Sequence, residues 1–307
     1  MALRRTEEVH GKARGLDMRP PLDVLTTLAE AQVEAASAVR GALPAIAAAS
    51  ELAAGQLSSG GRLVYAAAGS SGLMALADAL ELPGTFGIPR ERIVILFAGG
   101  AASLEDLAGG PEDDEALARA DIASAKVGPD DCVIAVSASG STPYALAALG
   151  AARASGARTI AIANNAEAPL FALSDVPVHL PTPPEVIAGS TRMGAGTAQK
   201  VALNLFSTLL AVRLGHVHDG YMVGVRPDNA KLKARAARIV AAIGGCAEGD
   251  ARAFLEKAEG SVKTAVLMAA GAADADAAGR ILERAGRRLR PALSMIEGSH
   301  GSGKIGE

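Results

Sequence analysis

Two short stretches concentrate the residue types that hold small anions. Residues 69–72 read GSSG after the apolar run RLVYAAA (62–68), and residues 137–142 read SASGST at the end of the apolar run CVIAVS (132–137). Each ends an apolar run in hydroxyls and glycine and then opens a segment of helical period, with Pro143 a favourable first helical residue. A strand feeding hydroxyls into a helix start brings backbone N–H groups, the positive end of a helix dipole and hydroxyl donors to one point, which is a phosphate cradle. The candidate ligands are Gly69, Ser70, Ser71, Ser137, Ser139, Gly140, Ser141 and Thr142. Neutral donors bind a dianion reversibly, as a ligand that must leave after each turnover requires. Serines at such places also cap helices, but the same device at successive strand ends favours anion binding. Neither stretch is a Walker loop, since no GK[ST] follows, and GSSGLM lacks the third glycine and distal acid of a dinucleotide fingerprint.

The elements that must position these loops are legible as alternation. Apolar runs at 62–68, 92–98, 132–137, 158–163 and, more weakly, 175–180 read as strands buried on both faces, separated by segments whose apolar residues recur every three or four positions. This predicts an α/β class: a doubly wound, three-layer parallel sheet with right-handed crossovers, with Pro177 suited to an edge strand. Two helices (21–41 and 43–58) precede the sheet, a long helix lies within 190–215, and short amphipathic helices with glycine stops follow Asp228. The predicted division is a domain over 1–227 that carries the N-terminal helices, a small helical domain over 228–294 and a disordered tail over 295–307.

Composition excludes several partners. Of 307 residues, 33 are acidic and 30 basic, and there are three tyrosines, five phenylalanines and no tryptophan, so neither a basic face nor stacking platforms for nucleic acid are expected. No run approaches the roughly 18 apolar residues that span a bilayer, and MALRRTEEVHGKARG is too charged for a signal peptide. The expectation is a cytoplasmic protein with no membrane or nucleic-acid partner. Cys132 and Cys246 lack the spacing of a zinc site or disulfide framework, and His216 and His218 read as a surface helix-to-loop junction, so neither a metal nor a cofactor is expected.

Longer matches carry a family resemblance. The two hydroxyl loops resemble those of sugar isomerase (SIS) domains. Together with ADALELPGTFGIP (77–89), LAGGPEDDE (107–115), EVIAGSTRMGAGTAQK (185–200) and the near-terminal TEE (6–8), they make the chain similar to the N-acetylmuramic acid 6-phosphate etherase family over most of its length. The resemblance implies a SIS fold and a lyase of peptidoglycan recycling. Its reaction eliminates D-lactate across carbons 2 and 3 of the open-chain sugar and then adds water, giving N-acetylglucosamine 6-phosphate. It further implies a homodimer with a shared site and two acid/base glutamates, which match Glu81 and Glu112. Chemistry asks for such a pair independently: one carboxylate removes the proton made acidic by the adjacent aldehyde while another protonates the departing ether oxygen. Sequence leaves open which does which. Glu81 reads as the end of an apolar helix one turn before Pro83, and Glu112 as a helix start.

Arg192 and Lys200 flank a glycine-rich turn and are ligand or salt-bridge candidates. Ser190 and Thr191 are read as caps or sugar contacts, and Asn204 as a buried amide with a structural or interface role.

The family pattern is broken at Leu73 and Ser141, where arginines are expected, at Ala68 in place of glycine, and at Gly224 in place of aspartate. These departures keep two other readings open: a related SIS isomerase or lyase on another amino-sugar 6-phosphate, or a non-catalytic phosphosugar sensor.

Overall fold

The computed structural model describes residues 5–107 and 109–301, with the side chains of 299–301 left aside. The chain forms two compact units, Met1–Leu80 with Glu91–Leu210, and Glu81–Arg90 with Ala211–Glu307.

The first unit begins with helices α1 (Pro21–Ala38) and α2 (Leu43–Ser58), joined by a 3-10 turn at Val39–Ala42. Five strands then alternate with helices: β1 (Leu63–Ala67), α3 (Gly69–Phe86), β2 (Ile93–Phe97), α4 (Glu115–Ser124), β3 (Cys132–Val136), α5 (Pro143–Ala154), β4 (Arg158–Ala163), β5 (Val176–His179) and α6 (Gly194–Arg213). All pairings are parallel and the strand order is β2-β1-β3-β4-β5. The five expected strands are all present, and Pro177, opposite Ala161, lies on an edge strand where its missing N–H breaks no inner ladder.

Strands β1 and β3 are buried throughout, because both faces are covered. Val64, Ala66, Val133, Ala135 and Ala161 face Tyr144, Ala148 and Leu149 of α5 and Ala118 and Ile122 of α4. Against the opposite side, α2 packs on β1, β3, β4 and β5. There Ser50 of α2 donates to the Phe206 carbonyl of α6 at 3.0 Å, and Asp78 of α3 accepts from both Tyr65 of β1 and Ser207 of α6 at 2.8 Å each. This buried carboxylate ties α3 and α6 to β1. Asn204 faces solvent and is not a buried amide, since α6 turns it away from its packed side.

The second unit contains the hairpin β6 (Val217–His218) and β7 (Tyr221–Met222), then α7 (Ala230–Gly244), α8 (Glu248–Lys257), α9 (Val262–Ala269), α10 (Ala275–Arg284) and α11 (Leu289–Gly301). Asp219 and Gly220 turn the hairpin with φ of 46° and 79°, the conformation for which an Asp-Gly pair is suited. Asn229, Ser261 and Asp274 accept from Leu232, Thr264 and Ala277 N–H groups, so α7, α9 and α10 each start on a side-chain cap. Their apolar faces meet in one core around Val240, Val266 and Leu267 that also takes in Leu289, Ala292 and Ile296. The segment from 295 to 301, expected as a tail, therefore continues a helix whose Ile296 is core. Residues 302–307 lie outside the described residues.

Candidate active site

In a sheet ordered 2-1-3-4-5, the direction in which successive strands are added reverses between β1 and β3, and the crevice at their carboxyl ends is where such folds take ligands. Ala67 is in register with Val136, so the two hydroxyl loops leave the sheet side by side at that switch point.

The second loop is a connected hydroxyl cluster. Ser137, 2% exposed, shares a hydrogen bond with Thr142 (Oγ to Oγ1, 2.8 Å) and accepts from the Gly140 N–H at 3.0 Å. Ser139 Oγ accepts from the Ser141 N–H at 3.2 Å and from its hydroxyl at 3.1 Å. Gly140 holds φ +68°, with Ala163 and Ala168 packed where a side chain would project. Thr142 precedes α5 yet makes no side-chain cap, so the hydroxyl nearest the helix start is tied to Ser137 instead. That leaves the first turn of α5, headed by Pro143, as an anion-seeking helix end. Ser139, Ser141 and Thr142 are half-buried and reachable, whereas Ser137 shapes the loop from below.

Helix α3 starts directly at the first loop. Gly69 has φ +53°, Ser70 is half-buried and Ser71 is 9% exposed. The ring of Phe97 lies 2.6 Å from where a Gly72 Cβ would stand, so only glycine fits there. Glu112, from a 3-10 turn at Gly110–Asp113, reaches this loop: its Cδ would be 3.1 Å from a Cβ on Gly69. Its pKa is raised, first by burial and then by the neighbouring Asp113 charge. A carboxylate of raised pKa beside two hydroxyl loops at a switch point is a candidate acid/base group. The cap of α4 belongs to Asp114, whose side chain accepts from Leu117 N–H at 2.8 Å, so Glu112 is free of the capping role its sequence context suggested.

The turn before α6 is held by a buried acid. Glu185, 5% exposed, accepts from the Gly194 and Ala195 N–H groups at 2.9 and 2.8 Å and so fills the helix start itself. Ser190 and Thr191 lie half-buried in that turn, Arg192 is exposed, and Lys200 is half-buried a turn and a half into α6. Beneath, Gln199 donates to Asn164 at 3.0 Å and Asn164 to Thr182 at 3.2 Å.

Glu81 belongs to the second unit. It is exposed and does not end its helix, because α3 runs on through Pro83 to Phe86 despite the lost N–H. The Phe86 carbonyl is bonded by His216 Nδ1, and a Cβ on Gly87 (φ +69°) would overlap the Gly224 carbonyl. His216 and His218 are thus not a surface junction: His218 is 9% exposed, and His216 is pushed down to about 4, first by burial and then by Lys263. His216 also packs where a side chain at 224 would stand, which accounts for glycine at that position. No cluster of metal-ligating side chains exists among the described residues.

Sequence reading missed Thr6, Asn164, Asn165, Glu185 and Gln199. The adjacent asparagines at the end of β4 were a signal of the same kind as the hydroxyl loops, a polar pair closing an apolar run.

Residues 115–209 match the SIS domain model and residues 45–153 the glucokinase regulatory protein N-terminal SIS domain model. A phosphoheptose isomerase structure from Francisella tularensis superposes with a TM-score of 0.49 at 19% identity, over 64% of this chain and 98% of that one. The N-acetylmuramic acid 6-phosphate etherase of Deinococcus radiodurans is 48% identical over 294 residues, 96% of either chain, and that of Streptomyces avermitilis is 40% identical over 289 residues, 94% of this chain and 93% of that one. At that identity over nearly the whole length, the chain belongs to the N-acetylmuramic acid 6-phosphate etherase family.

Proposed function

We propose that this chain is a lyase that cleaves the D-lactyl ether of N-acetylmuramic acid 6-phosphate, giving N-acetylglucosamine 6-phosphate and D-lactate. One observation carries the site assignment: Glu112, with its raised pKa, lies against the first hydroxyl loop at the β1/β3 switch point. Ser70, Ser71, Ser139, Ser141 and Thr142 hold the phosphate with the starts of α3 and α5, and Gly69, Gly140 and the buried Ser137 set the loop shapes. Ser190, Thr191, Arg192 and Lys200 contact the rest of the substrate.

In the open-chain sugar the aldehyde at carbon 1 acidifies the proton on carbon 2. Glu112 takes that proton, since a raised pKa makes its ionised form a stronger base. The electron pair forms the carbon 2–carbon 3 double bond, the bond from carbon 3 to the lactyl oxygen breaks, and Glu81 protonates the departing oxygen. Water then adds across the double bond, its hydroxyl to carbon 3 and a proton to carbon 2, which restores both carboxyl groups to their starting states. No cofactor is needed for this sequence.

The enzyme works in the cytoplasm as a homodimer. In support, no described helix is long and apolar enough to cross a membrane, and the α6 face bearing Asn204 and Leu205 is open to a partner. The helices after Asp228 act as a separate helical module, whose core extends past 294 to Ile296 of α11. The test is incubation of purified protein with N-acetylmuramic acid 6-phosphate and assay of lactate, alongside Glu81→Ala and Glu112→Ala. Both variants should still bind the phosphate and lose turnover.

A further inference from the structure

The second hydroxyl loop is braced by a residue more than a hundred positions before it. Thr6, in a single 3-10 turn at Arg5–Glu7, is 5% exposed. Its N–H donates to Asn165 Oδ1 at 3.4 Å, and Asn165 Nδ2 donates to Thr6 Oγ1 at 3.3 Å. The same Nδ2 donates to the Ser139 carbonyl at 3.1 Å. The Thr6 carbonyl in turn accepts from the Gly189 N–H at 3.1 Å. One buried threonine thus joins the phosphate loop, the asparagine at the end of β4 and the turn that carries Ser190, Thr191 and Arg192. Asn165 is 7% exposed, and both its oxygen and its NH₂ group are engaged.

The brace matters because of what it grips. Gly140, at φ +68°, follows Ser139, and a glycine in that conformation lets the preceding peptide rotate. Rotation of the Ser139–Gly140 peptide would break the Gly140 N–H bond to Ser137 and bring a carbonyl oxygen toward a bound anion. Asn165 holds that carbonyl in place, and Thr6 holds Asn165. We propose that Thr6 and Asn165 are positioning residues for phosphate binding, with the N-terminal segment acting as a clamp on the second loop. This rests on the phosphate-binding reading of that loop.

The experiment measures two quantities on Thr6→Val, Asn165→Asp and Thr6→Ser: the dissociation constant for inorganic phosphate by calorimetry, and KM and kcat for N-acetylmuramic acid 6-phosphate. Thr6→Val replaces the side-chain hydroxyl with a methyl group and leaves the backbone N–H and carbonyl available for their bonds, and circular dichroism checks that each variant is folded. The expected result is phosphate affinity and KM both weakened about tenfold in Thr6→Val and Asn165→Asp, with kcat changed less than about twofold, and affinity recovered in Thr6→Ser. Unchanged phosphate affinity in the folded Thr6→Val and Asn165→Asp proteins, or a fall in kcat alone, overturns the clamp. Should the unmodified enzyme bind phosphate yet release no lactate, the lyase reading fails while the calorimetric comparison still decides the clamp.

Discussion

The carboxylate of Glu112 rests against the α-carbon of Gly69, with Cδ and Oε2 placed 3.1 and 3.3 Å from where any side chain would begin. The glycine is required twice over, by this approach and by its φ of +53°. Gly69→Ala is expected to push Glu112 out of the loop and lower kcat/KM by at least about a hundredfold, since misplacing a catalytic group by an ångström costs that much. Lactate release measured beside the thermal midpoint separates this from unfolding.

Burial and the Asp113 charge both raise the Glu112 pKa, burial more strongly. As a base, Glu112 must be ionised, so its pKa sets the acid limb of the rate profile. Asp113→Asn removes the repulsion and lowers that pKa, and the acid limb of kcat against pH should move to lower pH with the plateau little changed. Because burial is the larger cause, the limb should stay above that of an ordinary glutamate.

Ser141 stands in the second loop with its hydroxyl on Ser139 Oγ, at the position where the family resemblance leads one to expect an arginine. A guanidinium there adds a charge-assisted donor to a dianion, worth about 1–2 kcal/mol when well placed. Ser141→Arg should lower KM and the inhibition constant of inorganic phosphate by about five- to thirtyfold, and a salt titration should show steeper weakening than in the unmodified protein.

His216 is held neutral, bonded to the Phe86 carbonyl, with its pKa pushed from the ordinary 6.5 down to about 4 by burial and then by Lys263. Between those values the unfolded chain binds a proton that the folded one refuses, so stability falls as pH drops from 6.5 towards 4. The full effect is about 3 kcal/mol. Urea unfolding at pH 7 and pH 4 should show this loss, and His216→Gln should lose less over the same interval.

The five strands were legible because a parallel sheet covered on both faces demands unbroken apolar runs, and each run at 62–68, 92–98, 132–137, 158–163 and 175–180 contains one. The hairpin at Val217–Met222 was not, because two-residue strands have no periodicity, although Asp219-Gly220 carried its turn signal. Pro83 was read as a stop, yet the helix continues to Phe86. The loop serines were legible as candidate ligands, but their division into a buried Ser137 and reachable hydroxyls at Ser139 and Ser141 depends on how deep β3 sits. Contacts such as Thr6 with Asn165 span 159 positions and leave no local trace.

Glu112 is expected to remove the carbon 2 proton and Glu81 to assist departure of lactate, and proton exchange separates the two steps. N-acetylmuramic acid 6-phosphate is incubated in deuterated water with the unmodified protein, Glu112→Gln and Glu81→Gln, and lactate and deuterium at carbon 2 are followed by nuclear magnetic resonance. The account predicts lactate with carbon 2 deuterium in the product from the unmodified protein, neither exchange nor lactate from Glu112→Gln, and exchange without lactate from Glu81→Gln. Lactate released at an undiminished rate by Glu112→Gln would contradict it.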